Sequence, residues 1–422
     1  MQGGREKNKL ERLQRPADIV FGICLALTFA METLLAYRQS ILYNGKYFSD
    51  MALHLNIARR DQYTYRMIGF LVKYMDKVTA SPWGIAAVIG LLVLFPVVGN
   101  YLLIRFFTKG ITKTRIPAEV LSLVALYTGP IYIPKFMPYF YAKTQSKYAW
   151  QNPTQIMVTV FSIFALLVFY KVYENYMEGI SMKSLILLAV TFLLSAWAKP
   201  SFIMAFFPAA AMVLLADVFR TVDISEIRDC RIVSKAYRFR QVVIMGLTML
   251  PSCIYFLMLN QTLFGKDTQQ ASVEAGKEAS KVVIDLGRAY FNQDFSITLS
   301  IIAGLAFPLF VLAFNLKSLK KPEYAVGWLT VLWGYAEHFT FSESGPRATH
   351  GNFAWGKKVA VYLMFVISMA KFIENLYDPE FCKGKKNLKI AYGVVGIGLL
   401  VLHMGSQLVY LNHIGHGGRY MI

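Results

Sequence analysis

Charge is scarce in this chain. Asp, Glu, Lys and Arg make up 16% of 422 residues against 56% hydrophobic residues, and the mean hydropathy is +0.43. A single water-soluble globule, in which about a quarter of residues are charged, is excluded. Cysteine is nearly absent, with four in all. Cys24 and Cys253 fall in apolar stretches and Cys230 and Cys382 in basic ones, so no disulfide framework is implied. Acidic residues are few, 25 against 44 Lys and Arg, which leaves a net charge of +19. The basic residues are spread over loops rather than gathered in one tract, which suits anionic lipid headgroups and phosphorylated lipids and gives no cradle for nucleic acid. No GxxxxGK[ST] loop, HExxH or CxxC occurs, so nucleotide hydrolysis and a structural zinc site lack support.

What the sequence has in abundance is long apolar runs. Eleven stretches read as membrane spans: 17–37, 83–107, 116–134, 154–173, 183–199, 201–218, 241–260, 297–316, 324–342, 357–377 and 390–412. Runs such as Val88 to Val98 are apolar all round, which excludes the two-residue alternation of a membrane β-barrel. The fold class expected is therefore all-α, a polytopic integral membrane protein with amphipathic interfacial helices in its first outer loop. A single membrane domain over 1–422, with no separate soluble domain, is the natural parse. The charged N-terminal stretch precedes a long apolar span without a small-residue cleavage site and reads as leading into a retained helix. Segments 1–16, 105–115, 171–183, 219–240, 317–323 and 371–389 hold 25 of the 44 Lys and Arg. Placing them inside puts the N-terminus in the cytoplasm and the C-terminus outside, in a plasma (inner) membrane.

Ionisable residues in apolar spans are site candidates, because each costs a few kcal/mol at mid-bilayer. Glu32, Glu337 and His338 lie within spans, and Lys199 ends one directly before Pro200. Together they outline a polar cavity open to the outside. The competing readings are an interhelical contact for the first three and a snorkelling anchor for Lys199.

The first outer loop carries a helical pattern. Ser49 is placed to cap a helix from Asp50, with Met51, Leu55 and Ala58 on one face and Asp50, His54 and Asp61 on another; Arg66 to Val78 gives a second amphipathic stretch. A carboxylate at the water–lipid boundary, one turn from a histidine, can take a proton from an acceptor hydroxyl. It can equally be an acid placed in a first turn by the helix dipole. Arg59 and Arg60 suit either a phosphate or anionic lipid. In the late loop SESGPRATHGNFAWG, a Gly345-Pro346 turn gathers Arg347, His350 and Asn352, a group suited to a diphosphate, unless Arg347 simply pairs with Glu343. The segment 260–296 reads as one amphipathic helix near Gln269 to Tyr290, and Asn260-Gln261-Thr262 matches a glycosylation acceptor pattern.

The string SDMALH after a first span, with WQNPT at 150–154 and WAKPSF at 197–202, resembles the membrane glycosyltransferases of the GT-C superfamily. The resemblance implies an all-helical enzyme that takes a polyprenyl-phosphate- or polyprenyl-diphosphate-linked sugar and transfers it to a glycan, lipid or protein acceptor on the extracytoplasmic face. It carries Asp50 over as the catalytic acid, His54 as its neighbour and Lys199 onto phosphate binding. No cofactor is required by it, although some such enzymes use a divalent cation. Many members have two acids near the first loop or a large soluble C-terminal domain, whereas the tail here reads HIGHGGRYMI. An arginine and a histidine in one outer loop also loosely resemble O-antigen ligases and polymerases. A transporter or flippase for lipid-linked glycans is the reading from another class. It takes Glu32, Glu337 and Lys199 as a pathway, but the paired halves common in transporters are not visible.

Overall fold

A computed structural model describes residues 2–42, 46–47, 49–60, 66–79, 81–136, 139–142, 144–219, 234–265, 279–286, 296–345, 351–383 and 385–419, the side chains of 2–11 excepted. The helices in chain order are α1 (Gln2–Ser40), α2 (Asp50–Arg59), α3 (Met67–Val78), α4 (Pro82–Phe107), α5 (Ile116–Leu126), α6 (Pro153–Tyr173), α7 (Met182–Ala198), α8 (Ser201–Phe219), α9 (Lys235–Leu247) and α10 (Leu250–Phe264). After the short strand β1 (Val282–Ile284) come α11 (Ile297–Phe314), α12 (Pro322–Thr340), strand β2 (Phe341–Glu343), α13 (Ala354–Tyr377) and α14 (Lys386–Gly415).

Seven of these, α1 from Arg12 onward, α4, α6, α8, α11, α13 and α14, are long and apolar enough to cross a membrane, and α9 with α10 forms an eighth bent by 42°. The chain is an all-α, membrane-spanning protein. Helix is the form an apolar segment takes in hydrocarbon, since it satisfies every backbone group internally. The expected spans 116–134 and 183–199 fall on the shorter apolar helices α5 and α7, and 324–342 falls on α12.

The first of these ends early, at Leu126. The Gly129-Pro130 pair disfavours further helix, and the chain instead hands its backbone groups to neighbouring helices: Gly129 N–H donates to His403 O, Ile131 N–H to Ala303 O and Tyr132 N–H to Ser406 Oγ. Non-helical backbone at this depth is tolerable because protein partners replace the missing intrahelical ones.

The chain divides into two compact units, residues 1–156, 297–316 and 362–422, and residues 157–296 and 317–361. In the first, α1 packs along α4, α4 along α5, and α11 against α14. Within it Phe307, Phe365, Phe372 and Tyr392 form an aromatic core around the fully buried His403. In the second, α8 packs on α12, α7 on α10, and α8 on α7 and α9.

Also in the second unit, β1 pairs antiparallel with β2, Val283 opposite Ser342. This corrects the helix expected near Gln269 to Tyr290: the β-branched run Val282-Val283-Ile284 is drawn onto the strand that continues from α12. Residues 266–278 and 287–295 of that expectation lie outside the described residues. The triplet Asn260-Gln261-Thr262 sits in the last turns of α10 rather than on a loop, with Thr262 Oγ1 donating to Met258 O.

Candidate functional site

In the first unit the candidate site is built where α2 begins and the 148–152 segment ends. Ser49 caps α2: its Oγ accepts from Met51 N–H at 2.9 Å and donates to Gln151 O at 3.3 Å, so one hydroxyl both starts the helix and ties it to the later segment. Met51, Ala52, Leu55 and Ala58 are buried along one face of α2, as the spacing requires. Asp50 is thereby fixed, half-buried, in the first turn.

Asn152 holds its carboxylate, donating from Nδ2 to Asp50 Oδ2 at 3.1 Å. The amide orientation follows from its other end, where Oδ1 accepts from Gln155 N–H at 3.1 Å and Thr154 Oγ1 at 2.7 Å, capping α6 ahead of Pro153. One asparagine thus serves a helix cap with its oxygen and a carboxylate with its nitrogen. Sequence reasoning missed Asn152 as a site residue, although Asn-Pro-Thr is a capping signal in its own right.

Around this point the segment is lined with rings. Trp150 and Tyr148 are buried, with centroids 4.4 Å apart, and Trp150 stacks on Tyr127. Lys147 is fully buried; its Nζ donates to Ala125 O at 3.2 Å and lies 3.7 Å from the Phe365 ring centroid. Burial pushes its ammonium well below the ordinary lysine range. Burial also raises Tyr148, with Tyr362, Glu32 and Tyr127 adding to the shift.

The other candidates of this unit are placed as follows. His54 is half-buried one turn after Asp50. Arg59 closes a two-pronged clasp on Asp76 of α3, Nε to Oδ2 at 2.7 Å and Nη2 to Oδ1 at 3.1 Å, so it braces the α2–α3 hairpin. Arg60 is exposed just after α2. Glu32 is buried in α1, and its Oε1 has no hydrogen-bond partner among the described residues. Asp61 lies outside them.

The second unit holds the remaining candidates. Lys199 caps the C-terminus of α7, and its Nζ sits 3.8 Å from the Trp355 ring centroid. Glu337 is buried on α12; a Cβ added at Gly356 would come within 2.9 Å of its Oε2. Asn352 Nδ2 donates to Glu343 Oε2 at 2.6 Å. Arg347 and His350 lie outside the described residues. Lys357 and Lys358 at the start of α13, both buried, were not singled out from the sequence. They sit at the edge of an apolar span, where lysines ordinarily read as anchors.

Among the described residues no group of three His, Cys, Asp or Glu side chains is placed to hold a metal ion. No family model matches the chain, and no curated protein matches it.

Proposed function

We propose that the protein is a membrane glycosyltransferase that takes a sugar from a polyprenyl-phosphate- or diphosphate-linked donor, with Asp50 as general base. The observation that carries this reading is the Asp50 carboxylate, fixed at the start of α2 by the Ser49 cap and by Asn152 Nδ2. On this reading Asp50 removes the proton from an acceptor hydroxyl. The resulting oxygen forms a bond to the anomeric carbon as that carbon's bond to phosphate oxygen breaks, and the lipid phosphate departs with the electron pair. Lys199, Arg347 and His350 are the groups assigned to the phosphate, with Asn352 and Glu337 as further substrate-binding residues. The site faces outward, with the N-terminus in the cytoplasm and the C-terminus outside, in a plasma (inner) membrane.

Asp50→Asn in proteoliposomes supplied with lipid-linked sugar is expected to lower transfer about 10²- to 10⁴-fold while lipid binding persists. Unchanged transfer removes Asp50 from the mechanism. The buried carboxyl of Glu32 favours a second reading, a transporter or flippase for lipid-linked glycans. In that case Glu32→Gln, not Asp50→Asn, abolishes movement of the lipid between leaflets.

A further inference from the structure

Along α1 the first unit has a polar stripe where a membrane helix would ordinarily present apolar side chains. Thr28, Glu32 and Gln39 fall on one helix face, four and seven residues apart, and are 4%, 3% and 2% exposed. Asp18 stands earlier on the same helix, half-exposed. From Asp18 to Gln39 the helix rises about 30 Å, the thickness of the hydrocarbon layer. Between Asp18 and Ser40 α1 has no acid but Glu32, and α4, packed along it, has no ionisable side chain from Pro82 to Asn100.

Other elements of the unit continue the stripe in both directions. Tyr127 Oη donates to Thr28 Oγ1 at 3.0 Å, and Glu32 is within electrostatic reach of Tyr127 and Tyr148. From Tyr148 the segment runs on to Asn152 and so to Asp50. The Tyr148 ring also lies 5.9 Å from that of Tyr362, whose hydroxyl accepts from Asn100 Nδ2 at 2.8 Å. That amide donates again to Ser122 O at 3.0 Å, and Ser122 Oγ donates to Glu119 O at 2.7 Å. Gln14 Nε2 then joins Glu119 Oε1, at 2.9 Å, to Asp18 Oδ1, at 2.7 Å. Asp50 at one end and Asp18 at the other are half-exposed, so the series reaches the surface at both.

Six buried atoms along it have no hydrogen-bond partner among the described residues: Gln39 Oε1, Trp150 Nε1, Tyr148 Oη, Glu32 Oε1, Asn100 Oδ1 and Glu119 Oε2. Inside a membrane each is expensive to leave bare, and water between neighbouring groups relieves several at once. One such atom would signify little. Six, strung over the thickness of a bilayer between two surface carboxyls, mark a hydrated column, and carboxyls inside such columns mark ion routes. A metal cation asks for oxygen acceptors throughout. Here the donors of Tyr148 and Trp150 are interleaved with the acceptors, an arrangement that suits water and a passing proton.

We propose that the first unit holds a proton path between Asp50 at one end and Glu119 with Asp18 at the other, with Glu32 as its station in the middle of the membrane. At each hop one O–H bond breaks as the next forms, so Glu32 takes a proton on one side and releases it on the other. The path needs no sugar, donor lipid or acceptor, and it does not rest on the glycosyltransferase reading.

The full chain is reconstituted in phosphatidylcholine liposomes that enclose the pH-sensitive dye pyranine and hold no lipid-linked sugar. A potassium diffusion potential set with valinomycin drives protons inward, and dye emission follows their entry. The wild type is expected to admit protons faster than protein-free liposomes, and Glu32→Gln should lower this protein-dependent rate at least about tenfold. If Glu32→Gln does not elute as a single species, Glu119→Gln is judged by the same criterion. Absence of protein-dependent entry, or equal entry through the glutamine variant and the wild type, overturns the path. Since no sugar donor is present, a failure of glycosyl transfer leaves this result standing, and a failure here leaves Asp50 as the proposed base.

Discussion

Lys147 illustrates what burial does to one side chain. It comes from a polar stretch, AKTQSK, that reads as an ordinary loop, yet it is 1% exposed against the Phe365 ring. Burial favours the neutral amine, so between its lowered pKa and the ordinary lysine value near 10.4 the unfolded chain binds the more protons, and stability rises with pH across that window. Lys147→Met is expected to flatten this rise, seen in thermal midpoints from about pH 7 to about pH 10. An unchanged slope would count against the assignment. Asn152 offers a second test at this scale. Aspartate caps a helix as well as asparagine does, so Asn152→Asp should keep α6 intact while setting a second carboxylate beside Asp50. A like charge raises the pKa of the base. The acidic limb of the proposed enzyme's pH–rate profile should therefore move to higher pH, and a limb that stays in place would separate Asn152 from catalysis.

The helices themselves were largely legible. Ser49 followed by the Met51, Leu55 and Ala58 spacing foretold α2, and the apolar stretch after Arg66 foretold α3, because caps and a 3.6-residue period are local properties. How closely two helices approach is not local. Gly356 allows α13 to meet the start of α8, and in the sequence it is one of 29 glycines with nothing to single it out. Gly356→Ala must displace Ser201 O or Glu337, and overpacking of this kind costs about 1–3 kcal/mol. Gly398→Ala in α14, where an added Cβ meets nothing, is the control and should be neutral or slightly stabilising. Comparable thermal midpoints for the two variants would argue that the α8–α13 junction yields easily.

For the whole molecule the testable quantity is orientation, inferred from the distribution of Lys and Arg. Cys382 lies half-buried in the turn between α13 and α14, on the side assigned to the cytoplasm. With Cys24, Cys230 and Cys253 changed to Ser, Cys382 should resist a membrane-impermeant maleimide in intact cells and react in inside-out vesicles; the reverse pattern would invert the topology. That the chain spans a membrane as helices was decided by composition alone, since the transfer of apolar side chains into hydrocarbon is additive along the sequence and needs no knowledge of neighbours. Tertiary structure decided where α5 stops, which lysines are buried, and that Asn152 reaches Asp50 across 102 positions of sequence. Each of these depends on a partner supplied from a distant part of the chain, and no periodicity or capping signal records who that partner is.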